Sequence, residues 1–224
     1  MKQIIYYLLV VVTVTVQGQS TIEKSLGDFS TLKVYDLINV AMIKSDENKA
    51  VIKGSDKEEV EFVNRNGKLK IRMDPEHAFN GDGVDITLYF KSVDVVDANE
   101  GARVKIKQAI KQYEIDLKTQ EGAYIEAELD VTYANIRAVT GGIVHTTGTA
   151  KNQDVSVYTG GIYEGEQMSS EFSEVSIQAG GEVSVNCSDR LEIKIKAGGD
   201  VYIYGNPKMV DEKRVFGGRV KRVD

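Results

Sequence analysis

The chain has 224 residues, with 28 Lys and Arg against 34 Asp and Glu, for a net charge of -6. That length suits one domain or two small ones, and 42% hydrophobic residues exclude wholesale disorder. Two His and a single Cys exclude a three-His or a Cys-rich metal site, and the acidic balance excludes a typical nucleic-acid binder.

The chain opens as a secretory signal peptide over residues 1–18. Met1-Lys2-Gln3 is a short basic start, and Ile4 to Val16 is uncharged and mostly apolar. Val16 and Gly18 fit the small-residue places of a cleavage site after Gly18. The apolar run is shorter than the ~20 residues that a membrane-spanning helix needs. The expectation is a mature chain exported to the periplasm, the cell surface or the medium, with no transmembrane segment. It carries no cysteine at the leader's end for lipid attachment.

Residues 19–95 read as irregular β rungs or a β cap, continuous with the regular repeats of residues 96–224. Strands are predicted at 32–34 and 39–43. Two more, at 60–63 and 69–73, flank the tight-turn pair Asn66-Gly67. Residues 84–90 form a longer strand. Pro75, Gly81 and Gly83 mark 74–83 as a loop. Its oxygen ligands, with Asp74, Glu76, Asp82 and Asp85 as candidates beside His77, could hold a hard cation such as calcium. The helix-loop-helix calcium spacing is missing, so a solvated acidic loop is the expectation.

In residues 96–224, Gly-Gly pairs stand at Gly141-Gly142, Gly160-Gly161, Gly180-Gly181, Gly198-Gly199 and Gly217-Gly218, at intervals of 19, 20, 18 and 19. Gly101-Ala102 and Gly122-Ala123 extend the series. Three residues after the first Gly stand Val104, Ile125, Val144, Tyr163, Val183, Val201 and Val220. Five before it stand Val96, Leu117, Ile136, Val155, Val175 and Ile193. Such period-two flanks belong to strands. A period of 19 is too short for a helix-bearing unit. The prediction is an all-β, single-stranded, parallel β-solenoid with rungs of about 19 residues, two or three short strands each, stacked ~4.8 Å apart. The glycine pairs are its corners. A run of glycine-turned hairpins is the competing arrangement. Glu212, Arg214 and Arg222 interrupt the apolar series in the last rung, as a polar end cap would. Cys187 lies in an apolar alternation and is expected to be a small buried side chain.

No phosphate loop, dinucleotide fingerprint or Ser-His-acid motif is present. Four residues after the first Gly, the series Lys105, Glu126, His145, Glu164, Ser184, Tyr202, Lys221 predicts an outward ladder. Glu126 and Glu164 flanking His145 are the only catalytic set that the sequence offers, as a carbohydrate-active site. Cross-strand charge pairing explains the same residues more simply. Tyr158, Tyr163, Tyr202 and Tyr204, near the corners, are candidate ligand contacts.

The exported start, Asp28-Phe29 leading into a strand, the recurring Gly-Gly corners and the ending Ala197-Gly198-Gly199-Asp200-Val201-Tyr202-Ile203-Tyr204-Gly205-Asn206-Pro207-Lys208 resemble the putative auto-transporter adhesin head domain family, common in Bacteroidetes. The resemblance covers about residues 28–222. It implies a right-handed β-helix, an envelope location and no established catalytic residues. Self-export through a transmembrane β-barrel translocator is not the expectation. The expectation is a non-enzymatic exported solenoid, an adhesin or envelope protein without a cofactor, meeting an envelope glycan or protein. The alternative is a β-helix enzyme acting on a polysaccharide.

Overall fold

The computed structural model describes residues 21–223, and the leader expected over 1–18 lies outside them. In chain order the strands are β1 (Ile22–Ser25), β2 (Thr31–Val34), β3 (Asn39–Lys44), β4 (Lys49–Gly54), β5 (Val60–Arg65), β6 (Lys68–Met73), β7 (Val84–Phe90), β8 (Val95–Ala98) and β9 (Arg103–Ile106). They continue as β10 (Ile110–Gln120), β11 (Tyr124–Val139), β12 (Ile143–Tyr158), β13 (Ile162–Ile177), β14 (Glu182–Ala197), β15 (Asp200–Tyr204), β16 (Met209–Phe216) and β17 (Arg219–Arg222). Together they wind a right-handed parallel β-solenoid.

In the regular part each coil is one strand of 16 residues closed by a tight turn, rather than two or three short strands. The strand bends without breaking. In β11 the buried positions are Ile125, Ala127, Leu129 and Val131, then Ala134, Ile136 and Ala138. The alternation slips by one residue at Thr132 and Tyr133. Each coil therefore has two flat faces, joined by a glycine corner at one end and by this second bend at the other. The inward side chains stack in columns. Ile125, Val144, Tyr163, Val183, Val201 and Val220 align on one face, and Leu117, Ile136, Val155, Val175 and Ile193 on the other. Each fully buried Val, Leu or Ile contributes about 1.5–3 kcal/mol relative to exposure, so these columns are the main source of stability.

The glycine corners fall into two kinds. At Thr140-Gly141 and Thr159-Gly160 both residues have positive φ, and the next amide donates back across the turn, Gly142 N–H to Val139 C=O at 3.0 Å. That is the geometry of a type I′ turn. At Gly180-Gly181, Gly198-Gly199 and Gly217-Gly218 it is the two glycines that have positive φ. The second glycine of a pair also lies against the coil below: a Cβ at Gly161 would stand 2.3 Å from the Ala138 carbonyl oxygen.

The first half departs from chain order. β2 lies between β6 and β8, parallel to both, and β3 lies between β7 and β9 in the same way. The coil met first in the sequence is thus inserted between two coils that come later. The chain leaves it through β4 and β5, returns along β6 and β7, and then crosses to β8 on the other side. β4 runs antiparallel to β7, β1 antiparallel to β4, and β5 antiparallel to β6. Antiparallel strands therefore cover the first end of the stack. At the far end, Glu212, Arg214 and Arg222 stand opposite the inward residues Ile193, Ile195 and Ile203. Charges at inward places of an edge strand discourage further pairing.

Candidate recognition surface

The outward ladder forms in the register that the spacing predicts. Lys105, Glu126, His145, Glu164, Ser184, Tyr202 and Lys221 are successive partners across the coils. Its polar groups meet along the stack. Lys105 Nζ meets Glu126, and His145 Nδ1 lies 3.4 Å from Glu164 Oε2. The Lys221 ammonium lies 5.8 Å from the centre of the Tyr202 ring. Glu126, His145 and Glu164 are thus brought side by side on a continuous sheet face. Glu126 borders a shallow hollow of about 430 Å³, but His145 and Glu164 do not line it. The hollow exists because Ala41 occupies the ladder between Thr87 and Lys105, where its neighbours carry longer side chains. A glycosidase would need its two carboxyl groups facing one bound sugar. Here one is engaged by a lysine and the other by the histidine.

The four tyrosines separate. Tyr158, Tyr202 and Tyr204 are half-buried on the outside, and the Arg137 guanidinium covers Tyr158 at 4.4 Å. Tyr163 is fully buried in the inward column, so it cannot contact a ligand on the surface. Its ring takes the space left by Gly165, where a Cβ would fall 2.3 Å from the tyrosine hydroxyl. The hydroxyl bonds Thr146 Oγ1 at 2.7 Å and accepts from the Gln153 amide. Ser173 donates to Gln153 and shares a 2.6 Å bond with Ser170. Burial pushes the Tyr163 hydroxyl pKa far up, so it stays neutral. Polar residues on strands of regular alternation gave no sign of this network in the sequence. Cys187 is buried, and its thiol donates to the Glu171 and Arg190 carbonyls.

In the acidic loop, Asp74 caps a single 3-10 turn over Pro75–His77 and accepts from the Glu76 and His77 amides. It also meets His77 Nδ1 at 2.9 Å, and Glu59 lies 3.6 Å from the same nitrogen. The bond to Asp74 raises the His77 pKa and lowers that of Asp74, while Glu59, bonded to Asp74, is raised. Among the described residues, Glu59, Asp74 and His77 are the group close enough to share a metal ion. Of the residues that the loop's composition singled out, Asp74 and His77 belong to it. Glu76, Asp82 and Asp85 stand apart on the exposed rim.

The second bend leaves the period-two pattern intact on either side of it. No glycine marks it, so Tyr113 and Tyr133 stood outside the corner set. Both are exposed, at 67% and 39%, with ring centres 5.3 Å apart.

Glycine-cornered coils, an inserted first coil and charge ladders on the outside define one architecture. The family model described as "Putative auto-transporter adhesin, head GIN domain" matches residues 28–207. The chain belongs to this family. Solved structures share its fold. A putative adhesin from Bacteroides fragilis superposes with a TM-score of 0.84 at 16% identity, covering 92% of this chain and 98% of that one. A putative adhesin from Parabacteroides merdae gives 0.71 at 17% identity, covering 92% and 96%. A structure described as a putative lipid binding protein from Parabacteroides distasonis gives 0.69 at 14% identity, covering 92% and 96%. At such identities the likeness concerns the fold alone. No curated protein matches the chain. Among the described residues, no helix is long and apolar enough to cross a membrane.

Proposed function

We propose that the mature chain is an exported, non-enzymatic recognition module of the cell envelope, working as an adhesin head or as a structural envelope protein. The observation that carries this reading is the outward ladder. Glu126 pairs with Lys105, and His145 lies against Glu164, along an unbroken sheet face, as in a scaffold, instead of converging on one bound sugar. A solenoid built this way presents a long, stiff surface whose side chains repeat at the coil spacing. Membership of the adhesin-head family supports the same reading, as does the apolar leader at Ile4 to Val16.

Cell fractionation with surface protease digestion tests the location. The chain is expected in the envelope fraction, and a cytoplasmic chain that keeps its first 18 residues overturns the reading. Incubation of the mature chain with isolated envelopes tests recognition. Retention on the envelope supports it, and free chain at every concentration removes it.

A further inference from the structure

A shallow strip runs along the second bend, across the coils instead of along a strand. Two hollows, of about 450 and 310 Å³, lie on it, and the Tyr113–Tyr133 pair stands between them. The strip is built by repetition. Tyr133, Asn152, Phe172 and Arg190 are successive partners on β11, β12, β13 and β14. Two residues further on, Asn135, Asp154, Glu174 and Glu192 are partners in the same order. One column thus offers aromatic faces and a guanidinium, and the next offers carboxylates and an amide. From β8 to β14 the strip crosses five coil spacings, about 24 Å at ~4.8 Å each.

Its chemistry narrows the occupant. The backbone of these strands is already paired on both sides, so a peptide cannot add here as a strand, which needs a free edge. Recognition must come from side chains. Most of the charges cancel locally: Lys118 meets Asp116 at 2.7 Å, Lys194 meets Glu174 at 2.5 Å and Arg190 meets Glu192 at 2.7 Å. The other three carboxylates, Asp94, Glu114 and Asp154, repel a polyanion, and they lie on separate coils instead of forming a continuous row for a polycation. A neutral polyhydroxylated chain fits the whole strip, because its hydroxyls donate to carboxylates and accept from the Asn and Arg groups while its C–H faces lie on the rings. Tyr133 and Phe172 are two coils apart, about 9.6 Å by the coil spacing, so alternate units of a linear polymer would each meet a ring.

We infer that the second-bend strip, centred on Tyr133, Asn152, Asp154, Phe172 and Arg190, binds a neutral linear glycan lying along the solenoid axis. This rests on the recognition reading above and gives it a site and a ligand class.

The test is calorimetric titration of the mature chain with neutral hexasaccharides (cellohexaose, laminarihexaose and mannohexaose), with heparin and polylysine as charged controls. At least one hexasaccharide is expected to bind. Tyr133→Ala and Phe172→Ala should each weaken it about tenfold, Tyr133→Phe should restore it, and Tyr124→Ala, on the opposite face, should leave it unchanged. Unaltered melting temperatures of the variants exclude misfolding. No binding by any of the three hexasaccharides overturns the proposal, as does binding that neither alanine variant weakens or binding confined to the charged controls. Envelope retention that survives Tyr133→Ala and Phe172→Ala would refute the strip and leave the recognition reading standing. Loss of all envelope retention by the unaltered chain would refute both.

Discussion

Gly141 and Gly161 stand in neighbouring corners but answer to different constraints. Gly141 needs only positive φ, and a Cβ there would meet nothing within 4 Å. Gly141→Ala should therefore cost about 1 kcal/mol from backbone strain alone, and Gly141→Asn less. Gly161 needs the absence of a side chain, since its Cβ would press on the Ala138 carbonyl. Gly161→Ala should cost about 3 kcal/mol, as an overpacked core does. Denaturation midpoints of the two alanine variants check the order. Tyr163→Phe should cost about 1–3 kcal/mol by leaving Gln153 and Thr146 without their shared partner. Asp200 carries a pH prediction. Arg219 holds it by two bonds, at 2.5 and 2.7 Å, and lowers its pKa. A depressed carboxylate stabilises the fold above its unfolded pKa, about 3.9, and that stability is lost as pH falls through the lowered folded value. In Arg219→Gln the acid-side loss should shrink, which a series of melting temperatures between pH 7 and the acid limit would read.

At the scale of strands, nearest neighbours in a solenoid supply most of one another's stability. β16 and β17 lie at an end and pair with β14 and β15, so truncation after Tyr204 should lower the melting temperature and leave the remaining coils folded. β2 and β3 lie inside the stack, with coils on both sides. Deleting 21–44 should abolish cooperative melting, although it removes a terminal segment of similar length. Circular dichroism melts distinguish the two. The sequence showed the coils after residue 96 because glycine corners and inward Val and Ile recur at one interval. It did not show that β2 and β3 insert between β6–β7 and β8–β9. Leu32, Leu69 and Val96 occupy one inward column, and their shared apolar character carries no record of order. The second bend was hidden for a related reason. A one-residue slip at Thr132 and Tyr133 leaves each half alternating correctly, so Tyr113, Tyr133 and Phe172 gave no common signal. The Glu126, His145 and Glu164 ladder was legible because its residues keep a fixed distance from the corners.

The whole molecule is a stiff rod of parallel coils, closed at one end by antiparallel strands and guarded at the other by inward charges. Stiffness of this kind suits recognition. Groups on successive coils are held at a set spacing, so a long ligand can be met at several points without first ordering the protein. Catalysis would instead require groups that converge. The most direct measurement incubates the mature chain with polysaccharide-containing envelope fractions, and scores bound protein and newly released reducing ends in the same sample. The account predicts retention of the chain on the envelope with no release above the blank. Sugar release that disappears in Glu126→Gln or Glu164→Gln would contradict it and restore the ladder as an active site.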